Sequence, residues 1–172
     1  GTESAIAEKD GVRCAWAKAA DVSFFDARPP ADGRKASATV VRAARVAPDR
    51  LRLTVAWETR RPLKGYRPFV HVCTPDGARE GIVFQPTLAL TQKMMETPGR
   101  YEVPIDLAVP ARTAAGTYVL RYGAWHTATG GRLEISGARE DGSKRFCGGE
   151  IVVAAQDGRV TDVAWRPDAP LN

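Results

Sequence analysis

A chain of 172 residues, 44% hydrophobic and 26% charged, has the material for one folded domain with extra segments at its ends, and by composition it is neither disordered nor fibrous. No apolar run is long enough to cross a bilayer, so membrane insertion is not expected. The net charge of +5 raises nucleic acid or an acidic glycan as a partner, but the basic residues concentrated between Arg42 and Arg67 (Arg42, Arg45, Arg50, Arg52, Arg60, Arg61, Lys64, Arg67) alternate with apolar ones or sit in a turn. That is the pattern of a solvated sheet face, and no nucleic-acid partner is expected.

The first 35 residues read as an N-terminal segment, an extra strand or arm. "GTESAIAEKDGVR" lacks the basic and apolar regions of a signal peptide and has no initiator Met, which points to a chain processed or excised from a larger protein. Within it, "TESAIAEKDGVRCAWAKAA" could hold a short helix, although Gly11 interrupts it.

From residue 36 to 155 period-two alternation dominates. "ASATVVRAARV" opens the series. "LRLTVAWE" puts Leu51, Leu53, Val55 and Trp57 on one face and Arg52, Thr54 and Glu58 on the other. "YRPFVHVC" is apolar on both faces, with Phe69, His71 and Cys73 on one and Val70 and Val72 on the other. "LALTQKMME" is either a loop or one or two helical turns. "RYEVPIDLAV" is interrupted by Pro104, which demotes it toward an edge. "GTYVLRYGAWH" places Tyr118, Leu120, Tyr122 and Ala124 inward, and Val119, Arg121, Gly123 and Trp125 opposite. "FCGGEIVVAA" completes the core, and residues 156–172 supply a C-terminal strand, "RVTDVAW", and a tail. Turn signals such as "RRPLKG", "TPDGA", "TATGG" and "AREDGS" separate these runs. The predicted fold is all-β, an immunoglobulin-like antiparallel β-sandwich of about eight or nine strands.

Little in the sequence points to catalysis, and no catalytic residue or cofactor is assigned. There is no nucleophile elbow, P-loop or dinucleotide fingerprint. Cys14, Cys73 and Cys147 are too far apart in sequence for a metal motif; Cys73 and Cys147, both on predicted strands, could pair or remain buried thiols. The two histidines, His71 and His126, could together hold a metal with an Asp or Cys73, but the favoured reading of His71 is a core residue whose ring bonds backbone or a hydroxyl, and no metal is expected. Glu58, Asp76, Glu80, Glu134 and Asp141 fall in turns or on polar faces without forming an evident pair. An acid-rich turn such as "AREDGS" could hold a structural calcium.

The ordered series of a Trp-bearing strand, "YRPFVHV", "DG", "QPT", "PGRY", "VP", "GTYVLRYGAWH" and "GGRLEI", running from about Leu51 to Val153, resembles a small bacterial accessory β-sandwich domain. That domain is appended to glycosyltransferase-like and glycoside hydrolase-like multidomain proteins. Trp57, Phe69, His71, Gly77, Gln85, Thr87, Gly116, Tyr118, Gly123, Arg132 and Leu133 match its pattern. Pro86 replaces its usual acidic residue after the Gln, and "LALTQKMME" replaces its Trp. The resemblance implies architectural residues without a catalytic set, a bacterial host, and an extracytoplasmic (periplasmic or secreted) location.

Sugars present apolar C–H faces that stack on exposed aromatic rings, so carbohydrate is the expected ligand. Trp16, Trp125 and Trp165 are the candidate platforms. The predicted ligand site is Trp125 with Arg121 on the same strand face, Gly123 between them leaving room for a flat ring. The expected function is a non-catalytic, carbohydrate-binding accessory domain. The alternative is a structural or protein-interaction module packing against a carbohydrate-active catalytic domain in the same protein.

Overall fold

The computed structural model describes residues 34–76 and 81–168 in full and, of the first 33 residues, the backbone course of three strands. The chain divides into two compact units, Gly1–Gly33 and Arg34–Asn172. The first contains an antiparallel meander of β1 (Ile6–Lys9), β2 (Val12–Ala17) and β3 (Asp21–Phe25). A helix had been conceivable here; strands form instead. Lys9 pairs with Val12, so β1 and β2 are joined as an antiparallel hairpin.

The second unit is an all-β sandwich of two antiparallel sheets. One contains β4 (Ala36–Ala47), β5 (Arg50–Thr59), β9 (Gly99–Ala108) and β8 (Thr87–Leu88), in that order. The other runs β11 (Arg139–Glu140), β12 (Phe146–Gln156), β10 (Gly116–His126), β6 (Tyr66–Cys73), β7 (Ile82–Phe84), with β13 (Arg159–Pro167) pairing the later part of β12. Three short strands, β7, β8 and β11, fall in stretches that read as connections, which is why the strands exceed the expected eight or nine.

The core is the alternation read from sequence. Leu51, Leu53, Val55 and Trp57 on β5 are fully buried and meet Tyr118, Leu120, Tyr122 and Ala124 on β10 within one apolar cluster. Polar atoms inside that layer are paired, as burial demands. Tyr122 donates to Ala38 O (2.9 Å), a bond from one sheet to the other. Trp57 Nε1 donates to Thr59 Oγ1 (3.0 Å), whose hydroxyl donates to Met94 O (3.1 Å). "LALTQKMME" forms one short helix, α1 (Gln92–Glu96), capped by Thr91 accepting from Met94 N (3.2 Å). It buries Met95.

Pro104 does not sit on an outermost strand. It pairs in register with Thr54 of β5, and its carbonyl accepts from Ala89 N (3.3 Å) on the opposite side of β9. In an antiparallel ladder a residue's nitrogen and oxygen point the same way, so the missing N–H faces away from β5 and interrupts nothing there. The outer face of this sheet carries the exposed pair Arg42–Glu102, and the exposed pair Arg45–Asp162 joins β4 to β13 of the other sheet. Each contributes well under about 1 kcal/mol.

Candidate ligand-binding site

β6 and β10 pair so that Cys73, His71 and Phe69 lie opposite Val119, Arg121 and Gly123. Directly paired residues share a sheet face, so these side chains and Trp125 form one surface on the side away from the core. The Thr127–Arg145 connection decides how much of that surface water reaches. It begins as a tight return: His126 N donates to Gly131 O and Leu133 N to Ala124 O, both 2.8 Å. This bridges Trp125 to Arg132 antiparallel and puts both side chains on the same face.

The predicted pairing of Trp125 with Arg121 in one ligand site does not form. Trp125 is 38% exposed, whereas Arg121 is 4% exposed. Arg121 Nε lies 3.3 Å from Asp141 Oδ2, outside hydrogen-bond geometry, while Nη1 donates to Thr74 O (3.3 Å). Arg145, equally buried, donates from Nε to the same Asp141 oxygen at 2.6 Å. Burial alone would raise the Asp141 pKa, but hydrogen bonds from the Ser143 and Arg145 N–H groups and the Arg145 side chain hold it below the usual carboxylate value. The "AREDGS" acid is therefore committed to two guanidinium groups, and Arg121 cannot fork onto a ligand from beneath them.

The room above Gly123 is likewise taken from within. A Cβ at Gly123 would stand 2.7 Å from Phe69 Cζ, so the flat ring lying against this backbone is Phe69 itself. Phe69 in turn stacks on His71 (centroids 4.8 Å apart, planes 28°). The Arg132 guanidinium sits over the Phe69 ring, 5.6 Å from its centroid, a cation–π distance. Arg132 Nη1 donates to Ser143 O (2.7 Å), which fixes the side chain.

These groups frame an open depression of about 260 Å³ lined by Phe69, His71, Trp125, Gly130 and Arg132. It is below the size of most drug-binding pockets and suits a single ring-sized group. His71 is half-buried; its Nδ1 is fully buried and has no hydrogen-bond partner among the described residues, contrary to the expected bond to backbone or a hydroxyl. Its pKa is lowered, first by burial and then by the charges of Arg145 and Arg132.

Other candidate constellations come apart. His71 pairs with Arg121, and His126 lies five residues further along β10 on the opposite face, about 17 Å away at strand rise. A shared metal is thereby ruled out, and no group of three metal-ligating side chains occurs among the described residues. His126 packs edge-on to Tyr66, centroids 5.1 Å apart. Cys73 and Cys147 are free thiols on strands either side of β10, about 10 Å apart at strand spacing and beyond disulfide reach. Burial raises the Cys147 pKa. Glu58 pairs with Arg60 (3.0 Å), Glu134 with Lys144 (2.9 Å), and Asp76 accepts from Thr74. Glu80, Gly77 and the side chains of Cys14 and Trp16 lie outside the described residues. Trp165 lies over Gly149 rather than free in solvent.

Sequence reasoning named Trp125 but left Phe69, His71 and Arg132 out of the ligand site. The signal for Arg132 was the "TATGG" turn, whose short length returns the chain beside Trp125. Compared with models of protein families, with curated proteins and with solved structures, the chain gives no match.

Proposed function

We propose that this chain is a non-catalytic accessory β-sandwich domain of a larger, exported bacterial protein, and that it binds carbohydrate in the depression around Trp125. The observation that supports this reading is the convergence there of an exposed indole, the stacked Phe69–His71 pair and the guanidinium of Arg132. Aromatic faces take the apolar side of a sugar ring, and a guanidinium supplies several donors for its oxygens. Water is not excluded from so shallow a site, so affinity rests on a small buried area and is weak.

Calorimetric titration of the full chain with a panel of oligosaccharides tests it. Binding by wild type that is lost in Trp125→Ala, with melting unchanged, supports the reading; equal binding by both proteins removes the site.

A second reading has one specific observation behind it. Val41 and Val46 are 45% and 48% exposed on β4, an outermost strand. In its first half β4 is occupied by Ser136, which bonds Ala38 N and Ala36 O; Val41 and Val46 lie beyond that stretch. Exposed apolar side chains on a sheet edge suit packing against a partner domain in the same protein.

A further inference from the structure

We infer that the depression selects an acidic sugar, one carrying a carboxylate such as a uronic acid, over its neutral counterpart, with Arg132 as the residue that makes the choice. This rests on the carbohydrate-binding reading and adds the ligand's charge to it.

The lining residues (Phe69, His71, Trp125, Gly130 and Arg132) include one fixed cation and no carboxylate. The neighbouring acids are engaged elsewhere. Asp141 is held beneath the surface by Arg121 and Arg145, and Glu134 is paired with Lys144. Nothing in the lining therefore neutralises Arg132 or repels an incoming anion. The lowered pKa of His71, to which Arg145 and Arg132 contribute after burial, reports the same positive potential from a second group.

Arg132 is also prepared for the task. A guanidinium carries five N–H donors, and here Nη1 donates to Ser143 O while the plane is held over Phe69. The remaining donors keep the planar fork that matches a carboxylate's two oxygens. Because the side chain is already fixed, little rotamer freedom is lost on binding. Trp125 and Phe69 read the ring and carry no preference for charge, so the two contributions are separable by mutation.

The test titrates the full chain with tetrasaccharides of polygalacturonate and hyaluronan, with cellotetraose and maltotetraose as neutral probes, and with polyglutamate as an acidic polymer without sugar rings. Wild type, Arg132→Gln and Trp125→Ala are compared, with thermal melting to show that each is folded. The expected result is preference for an acidic tetrasaccharide by about tenfold in wild type, abolished in Arg132→Gln because acidic binding falls further than neutral binding does; one charge-assisted bond is of that size. Trp125→Ala is expected to lose both kinds of sugar. Equal affinity for acidic and neutral probes, both lost in Trp125→Ala, overturns the charge preference and leaves carbohydrate binding standing. Polyglutamate bound as tightly as the acidic sugars, with no effect of Trp125→Ala, overturns it in favour of general attraction to a basic protein. Absence of binding by every sugar at millimolar concentration removes both readings.

Discussion

His71 has a consequence for stability that pH exposes. Its folded-state pKa lies below the ordinary value of 6.5 because burial and the charges of Arg145 and Arg132 oppose protonation. The other titratable groups on the same face are Arg121, Cys73 and, through Arg121, Asp141. The folded protein therefore binds fewer protons than the unfolded chain, so stability is undiminished above about pH 6.5, starts to fall below it, and stops falling from this source at the lowered folded value. Denaturant melts at pH 8 and pH 5 should show this loss in wild type and a smaller one in His71→Phe. Asp141 makes a larger contribution at neutral pH. Its side chain is 9% exposed and sits against two guanidinium groups that are each 5% exposed. Asp141→Asn should cost about 3 kcal/mol in equilibrium unfolding, because removing one member of a buried ionic cluster strands the others. A cost under about 1 kcal/mol would show that the cluster is not the clamp on this face. That Arg121 and Trp125 share a strand face was legible from alternation alone. Their different exposure was not, because it depends on a connection, Thr127–Arg145, whose path no local pattern encodes.

The β6–β10 pair carries the site, and the bulged β12 flanks it beside β10. The first depends on Gly123: a Cβ there would meet Phe69 Cζ at 2.7 Å and Lys144 O at 3.2 Å. Gly123→Ala should push the ring into the depression, costing about 1–2 kcal/mol. Sugar binding should fall with it, and titration beside thermal melting separates the two effects. In β12 the register slips between Leu120 and Arg121, leaving Gly148 as the extra residue and Gly149 at φ +146°. A Cβ at Gly149 would lie 2.5 Å from Trp165 Cζ2 and 2.6 Å from the backbone oxygen of Arg166. Backbone cannot yield as a ring does, so Gly149→Ala should cost more than Gly123→Ala, about 3 kcal/mol by denaturant unfolding. The strands themselves were legible from period-two patterning, down to the buried faces of β5 and β10. What misled was local punctuation. Gly11 read as a flaw in a helix, while the residues on either side of it form the paired strands β1 and β2. Pro104 read as an edge marker because sequence does not say to which side its absent N–H points.

Across the whole chain, the named residues of the proposed site belong to the unit Arg34–Asn172. The sandwich class was readable because both sheets bury one face against each other, and that single physical demand imprints the alternation. The site was readable only in part, because it lies on the face where folding imposes no such demand and a side chain's role is set by its neighbours. The central claim is that Trp125, Phe69, His71 and Arg132 act as one ligand surface. The most direct measurement is a ¹H–¹⁵N correlation titration of the labelled full chain with a galacturonate tetrasaccharide, following the four indole N–H signals and the His71 and Arg132 side-chain resonances. The account predicts that the Trp125 indole, His71 and Arg132 signals move together along one saturating curve, while the indoles of Trp57 and Trp165 stay in place. Shifts confined to other surfaces, or a Trp125 signal unmoved while the sugar binds, would contradict it.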